Sequence, residues 1–136
     1  MARNPEAYVD TSALIAFADR SDSYHLVFRR LFSNPPPLLT SSLVIAEGHG
    51  WFLRRYNAGK ALLFLAMIEE MGFLSVASVG SDEIATAVNA LKRFPDQELT
   101  LVDAFGLQLM NERKIGVCWS TDFHLGLGGA SLVVNT

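Results

Sequence analysis

Tyr8-Val9-Asp10-Thr11-Ser12-Ala13-Leu14-Ile15-Ala16-Phe17 is the stretch that decides the fold. Two strand-type residues run into an acid, Thr11 or Ser12 can cap a helix, and Ala13 to Phe17 begins that helix. The unit is a strand, an acid at its carboxyl end and a helical crossover. Open parallel sheets bind their ligands beyond that edge.

The same alternation continues outward. Ser21 or Asp22 caps a second helix through Arg30 and Leu31, which ends at Ser33-Asn34-Pro35-Pro36-Pro37 because consecutive prolines cannot continue it. Leu38-Leu39-Thr40 reads as the second strand. Ser41 or Ser42 caps a third helix carrying Glu47 to about Tyr56, and Gly59 separates it from a fourth, Lys60 to Met71, closed by Gly72. Phe73-Leu74-Ser75-Val76 is a third strand, and a helix from Ser81 or Asp82 runs to Lys92-Arg93. Pro95-Asp96 precedes another helix from Leu101 to Lys114, stopped by Gly116. Val117-Cys118-Trp119-Ser120 is strand four, Thr121 to Gly129 a glycine-punctuated loop, and Leu132-Val133-Val134 the last strand. The expectation is one α/β domain over residues 1–136, with a parallel sheet covered by helices on both faces.

A chain of 136 residues, half of them hydrophobic, suffices for one substantial core. Its longest apolar run, Ala61 to Ile68, ends at Glu69-Glu70, far short of a membrane span, and Met1-Ala2-Arg3-Asn4-Pro5 lacks a signal-peptide core, so the chain reads as cytosolic. The single cysteine, Cys118, sits in a buried strand pattern and reads as core rather than as a reactive thiol. A net charge of -3 counts against a nucleic-acid partner. If four of the fourteen acids surround a metal, however, ten remain against eleven bases, and overall charge does not settle the partner.

Four acids stand in apolar or small-residue surroundings: Asp10, Glu47, Asp103 and Asp122. Glu47 shares its helix face with Leu43, Val44, Gly50 and Trp51, and Asp103 with Leu99, Thr100, Gly106 and Leu107. Each has a bland explanation when taken alone. Asp10 can cap or turn, Asp122 can fold onto its own backbone, and Thr100-Leu101-Val102-Asp103 resembles a capping box. The topology nevertheless sends all four to one sheet edge, which independent capping does not require. Ionised carboxylates gathered in a partly dry place need a positive partner, and a donor set of oxygens without Cys or a spaced His pair suits Mg²⁺ or Mn²⁺ better than Zn²⁺. The chemistry expected of one or two such ions is phosphoryl transfer to water.

Val9-Asp10-Thr11-Ser12-Ala13-Leu14, Ala46-Glu47, Leu101-Val102-Asp103-Ala104 and Ser120-Thr121-Asp122-Phe123-His124 together resemble the ordered motifs of the PIN-domain nucleases. The resemblance covers nearly the whole chain, and in size it is most similar to the VapC type, the toxins of toxin–antitoxin pairs. It implies a three-layer α/β/α fold with about five parallel strands. It also implies a metal-dependent endoribonuclease with Asp10, Glu47, Asp103 and Asp122 as catalytic metal ligands, an RNA substrate, a protein antitoxin and a homodimer. Ser120 matches the family's hydroxyl two positions before the last acid, and Thr11 follows the first acid, so both are expected to orient carboxylates or water. After His124 the chain departs from the pattern, with Leu125 in place of the usual aromatic. The alternatives are a catalytically silent PIN-like binding module and a phosphotransfer enzyme with Asp10 as nucleophile. The latter wants a second acid where Ser12 stands.

Arg54, two turns beyond Glu47, can meet a substrate phosphate, with Arg55, Arg29 and Arg30 extending the track; a solvated helix end is the simpler explanation. His25, His49 and His124 have no metal-pair spacing, and of the three only His124 falls near the expected mouth. Trp51, Phe52 and Phe64 suggest core or a protein interface rather than base stacking.

Overall fold

A computed structural model describes residues 6–135; Met1 to Pro5, in which the sequence shows no signal-peptide core, lies outside the described residues. Five parallel strands, β1 (Ala7–Val9), β2 (Leu38–Ser41), β3 (Leu74–Ala77), β4 (Val117–Trp119) and β5 (Ser131–Leu132), form one sheet in the order β3-β2-β1-β4-β5. Six helices connect them: α1 (Thr11–Ala18), α2 (His25–Leu31), α3 (Ser42–Arg55), α4 (Ala58–Glu70), α5 (Ser81–Arg93) and α6 (Leu101–Arg113). The expected three layers and strand count are therefore present.

Residue alternation builds the two cores. Successive strand residues point to opposite faces. Ala7, Val9, Leu38 and Trp119 accordingly join Phe28, Phe52 and Phe64 of α2, α3 and α4 on one side. Tyr8, Leu39 and Cys118 join α5 and α6 on the other. Cys118 is fully buried in that second core, and burial pushes its thiol well above the ordinary range, which makes it a packing residue and a poor nucleophile. Central β1 is buried throughout, whereas edge strand β3 is half open.

Several boundaries differ from the sequence expectation. Asp10 rather than Thr11 or Ser12 is the N-cap of α1, and its carboxylate makes no capping bond. Before α2, Asp19 and Asp22 close turns onto the amides of Ser21 and Tyr24, so the helix begins only at His25. The Asn57 side chain caps α4 by accepting from Lys60 N at 2.9 Å, which places Gly59 inside the first turn instead of in a separator. The α6 helix ends because Lys114 takes a left-handed conformation (φ 55°), two residues before Gly116. The Thr121–Gly129 loop contains a 3-10 turn at Phe123–Gly126, and the last strand stops at Leu132, with Val133–Asn135 a second 3-10 turn.

Two glycines set how close the layers come. A Cβ on Gly106, one turn after Asp103, would stand 3.0 Å from Tyr8 Cε2 and 3.2 Å from Leu125 Cδ1, so glycine lets α6 settle onto β1. A Cβ on Gly48, next to Glu47, would stand 2.7 Å from Phe64 Cε2 and would push α4 off α3.

Candidate active site

The ladder between β1 and β4 pairs Val9 with Trp119 and continues one step as Asp10 N donates to Trp119 O at 3.0 Å. Asp10 and Ser120 thus leave the sheet side by side. Ser120 Oγ donates to Asp10 Oδ2 at 2.9 Å, and Ser12 Oγ reaches the same oxygen at 3.2 Å. Ser12 also lies 3.1 Å from Ser120 Oγ and accepts from Thr121 N at 3.0 Å, so it ties the start of α1 to the end of β4. Asp10 is 4% exposed. Burial raises its carboxyl to about 6, aided by the negative charges of Asp103 and Glu47 and opposed by the Ser120 hydroxyl and the Thr11 amide.

Asp103 sits in the third position of α6. Its Oδ2 accepts from Thr100 N at 3.3 Å while Thr100 Oγ1 accepts from Asp103 N at 3.1 Å, so the capping box is real. Capping and a role in the cleft coexist, because the box uses one carboxylate oxygen. Burial also raises this carboxyl, and the neighbouring Asp122 charge adds to the effect. Asp122 N-caps the 3-10 turn, with Oδ1 accepting from His124 N at 3.0 Å and lying 2.8 Å from His124 Nδ1. Glu47 projects from the middle of α3 and is half-buried.

These elements bring Asp10, Glu47, Asp103 and Asp122 to the rim and floor of one open cleft of about 320 Å³, together with Thr11, Ser12, Trp51, Arg54 and Thr100. At its Asp122 side, ligand atoms of Asp103, Asp122 and His124 lie within 4.8 Å of one another, a tighter group that does not include Asp10 or Glu47. His124, the one histidine expected near the mouth, therefore stands in the cluster although no metal-pair spacing marked it as a ligand. Ser12 is a residue that the sequence did not mark; it looked like a helix cap, and its link to Ser120 spans 108 positions. Arg54 lines the cleft, whereas Arg29 lines a separate hollow with Arg20 and His25, and Arg55 lies over the Tyr56 ring. The arginines do not form one track along the cleft. Phe52 and Phe64 are core, and Trp51, partly buried, packs against that core as expected while also walling the cleft.

The donor set and its unmet needs fit a hard cation. Among the described residues the ion pairs are Arg113–Glu6 and His124–Asp122, so no lysine or arginine lies within 4 Å of the four carboxylates. The Thr11 hydroxyl is buried without a hydrogen-bond partner, an expensive state unless something in the cleft meets it. Oxygen ligands from three or four carboxylates, with an imidazole at the margin, suit Mg²⁺ or Mn²⁺.

The chain is 29% identical over 124 residues to the 23S rRNA-specific endonuclease VapC20 of Mycobacterium tuberculosis, covering 90% of this chain and 93% of the relative. The crystal structure of that VapC20, described as a Sarcin-Ricin loop cleaving toxin, superposes with a TM-score of 0.83 at 25% identity, over 92% of this chain and 96% of the other. Two more distant structures share the fold. A protein of Pyrobaculum aerophilum has a TM-score of 0.69 at 19% identity, covering 96% and 91% of the two chains. A toxin-antitoxin complex from Klebsiella pneumoniae contains a chain with a TM-score of 0.63 at 16% identity, covering 93% and 95%. The PIN domain model matches residues 7–125, a span that opens with β1, closes in the 3-10 turn after β4 and holds all four acids of the cleft; the chain belongs to the PIN-domain family.

Proposed function

We propose that the protein is a Mg²⁺- or Mn²⁺-dependent endoribonuclease that hydrolyses RNA phosphodiester bonds and serves as the toxin of a type II toxin–antitoxin pair. The observation that carries this reading is the convergence of Asp10, Glu47, Asp103 and Asp122 on one cleft with no lysine or arginine among the described residues paired to them. Those four residues would hold one or two ions. A divalent ion so placed supplies Lewis acidity toward the scissile phosphate and a water that deprotonates near neutral pH.

The chain's own residues set up the remainder. Ser120 and Ser12 fix the rotamer of Asp10 and favour its ionised form. His124, through its ring nitrogen, holds Oδ1 of Asp122 and leaves the other oxygen to a ligand. The unpartnered Thr11 hydroxyl is available to a water in the cleft, and Arg54 at the rim is available to a substrate phosphate. Structured ribosomal RNA is the substrate class we infer, by analogy with VapC20. Exposed Leu26 on α2 and Leu62 and Leu63 on α4 offer apolar surface for an antitoxin and for a second copy of the chain. Among the described residues no helix is long and apolar enough to cross a membrane.

The test is incubation of purified protein with ribosomal RNA in Mg²⁺ or Mn²⁺, with EDTA, and as an identically prepared Asp103→Asn variant. Discrete cleavage lost in both controls supports the proposal. Cleavage that survives in either control, or none at all by a protein that binds Mn²⁺, speaks against it.

A further inference from the structure

Phe123 follows Asp122 directly and is 65% exposed, among the most exposed large apolar side chains of the described residues. Its ring stacks on His124, with centroids 4.2 Å apart and planes inclined by 29°. His124 in turn holds Asp122 at 2.8 Å. A carboxylate, an imidazole and a phenyl ring therefore run in sequence from the acidic cleft outward. With one face of the phenyl ring against His124 and most of its surface in water, the opposite face is free.

Beyond Phe123 lies a second hollow of about 370 Å³, walled by Gly126, Leu127 and Ala130 and by Leu132, with Ser131 and Asn135 at its margin. It is separate from the acidic cleft but shares the Asp122–Phe123 step as its border. An apolar floor, an aromatic edge and a few polar side chains are the features of a base-binding subsite. The glycine at 126 has nothing within 4 Å of a would-be Cβ, which leaves the floor of the hollow open.

We propose that this hollow receives one unstacked nucleobase of the RNA, which continues the His124–Phe123 stack while its neighbouring phosphate lies over the acidic cleft. Ser131 and Asn135 offer polar side chains to the edge of that base. Stacking on an aromatic ring tolerates any base, so Phe123 governs affinity and position more than sequence choice. The inference rests on the ribonuclease reading of the cleft, and the test separates the two.

A set of short single-stranded oligoribonucleotides, each carrying one 2-aminopurine at a different position, is rapidly mixed in Mn²⁺ with wild-type protein, Phe123→Ala and Phe123→Trp, and the RNA is shown on a gel to be intact over the reading. The expected result is fluorescence quenching by wild type at one position of the label and by Phe123→Trp at the same position. Phe123→Ala should bind about tenfold to a hundredfold more weakly, the range that loss of a base stack produces, with the quench lost. In parallel, RNA cleavage by Phe123→Ala should show a raised KM with kcat and Mn²⁺ affinity nearly unchanged. Phe123 is exposed, so the variant should unfold at the wild-type temperature. Equal binding and equal quenching by wild type and Phe123→Ala, or no quenching by wild type at any position, would overturn the inference, even if the protein cleaves RNA. Failure of all cleavage with quenching intact would instead count against the ribonuclease reading alone.

Discussion

The two sides of the acidic cleft treat the same functional group in opposite ways. On the sheet side, Asp10 is almost sealed, its Oδ2 bound by the hydroxyls of Ser120 and Ser12, and its carboxyl is pushed up to about 6. On the helix side, Asp103 and Asp122 serve their own backbone, one closing a capping box with Thr100 and the other capping a 3-10 turn. Asp103 and Asp122 would hold their places for structural reasons even without a ligand. The Asp10 carboxylate caps no later amide of α1 and, although Ser120, Ser12 and the Thr11 amide bond its oxygens, pays desolvation for a charge that no lysine or arginine among the described residues pairs with. A residue retained at a loss to the fold is the one that points most strongly to a function.

The contrast makes its largest prediction at Asp10. Between pH 3.8 and about 6 the folded protein binds a proton there that the unfolded chain has released, so metal-free stability should fall as pH rises through this window and level off above it. The two values correspond to about 3 kcal/mol. Asp10→Asn should abolish that contribution, and should therefore be more stable than wild type at pH 7.5 without metal while losing cleavage by more than the roughly 10–100-fold that outer partners of a metal site command. Urea unfolding of both proteins from pH 4 to 8 in EDTA checks the first half, and RNA cleavage in Mn²⁺ the second. A wild-type curve that rises with pH in the region where the variant's is flat would break the comparison.

Ser120→Ala removes the hydroxyl that favours ionised Asp10. It should raise the Asp10 carboxyl further, extend the pH-dependent loss of stability to higher pH, and lower Mn²⁺ affinity and cleavage about 10–100-fold. The shift of the stability curve distinguishes this from a general loss of packing. The smallest effect is expected at the cleft rim. Arg54→Ala should leave stability within about 0.5 kcal/mol and weaken RNA binding evenly across sequences, with the slope of log affinity against log salt shallower by about 1. Binding measured at several salt concentrations decides it.

The sheet side was also the more legible in sequence. Tyr8-Val9 before Asp10 and Val117-Cys118-Trp119 before Ser120 are short continuous apolar runs that end at adjacent strand ends, so the position of Asp10 followed from topology, and that of Ser120 from the family resemblance. What escaped depends on tertiary contact or on unmarked backbone. Ser12 meets Ser120 only after the sheet has formed, and the bond of His124, a residue expected near the mouth, to Asp122 depends on the turn that brings Nδ1 to 2.8 Å from Oδ1. Lys114 adopts a left-handed conformation normally announced by glycine or asparagine. Asn57 went unmarked as a cap because Gly59 offered a more obvious break. The strand end at Leu132 was overrun because Val133 and Val134 have strand character but fold as a 3-10 turn.

The central claim is that the four acids form one cation site whose charge the fold cannot otherwise balance. Thermal unfolding at pH 7.5 across a Mn²⁺ titration, for wild type and Asp10→Asn, tests it most directly. The account predicts a melting temperature that climbs with Mn²⁺ for wild type, since an ion bound only by the folded state stabilises it by mass action, and climbs little or not at all for the variant. A wild-type melting temperature indifferent to Mn²⁺, or an equal rise in both proteins, would contradict it.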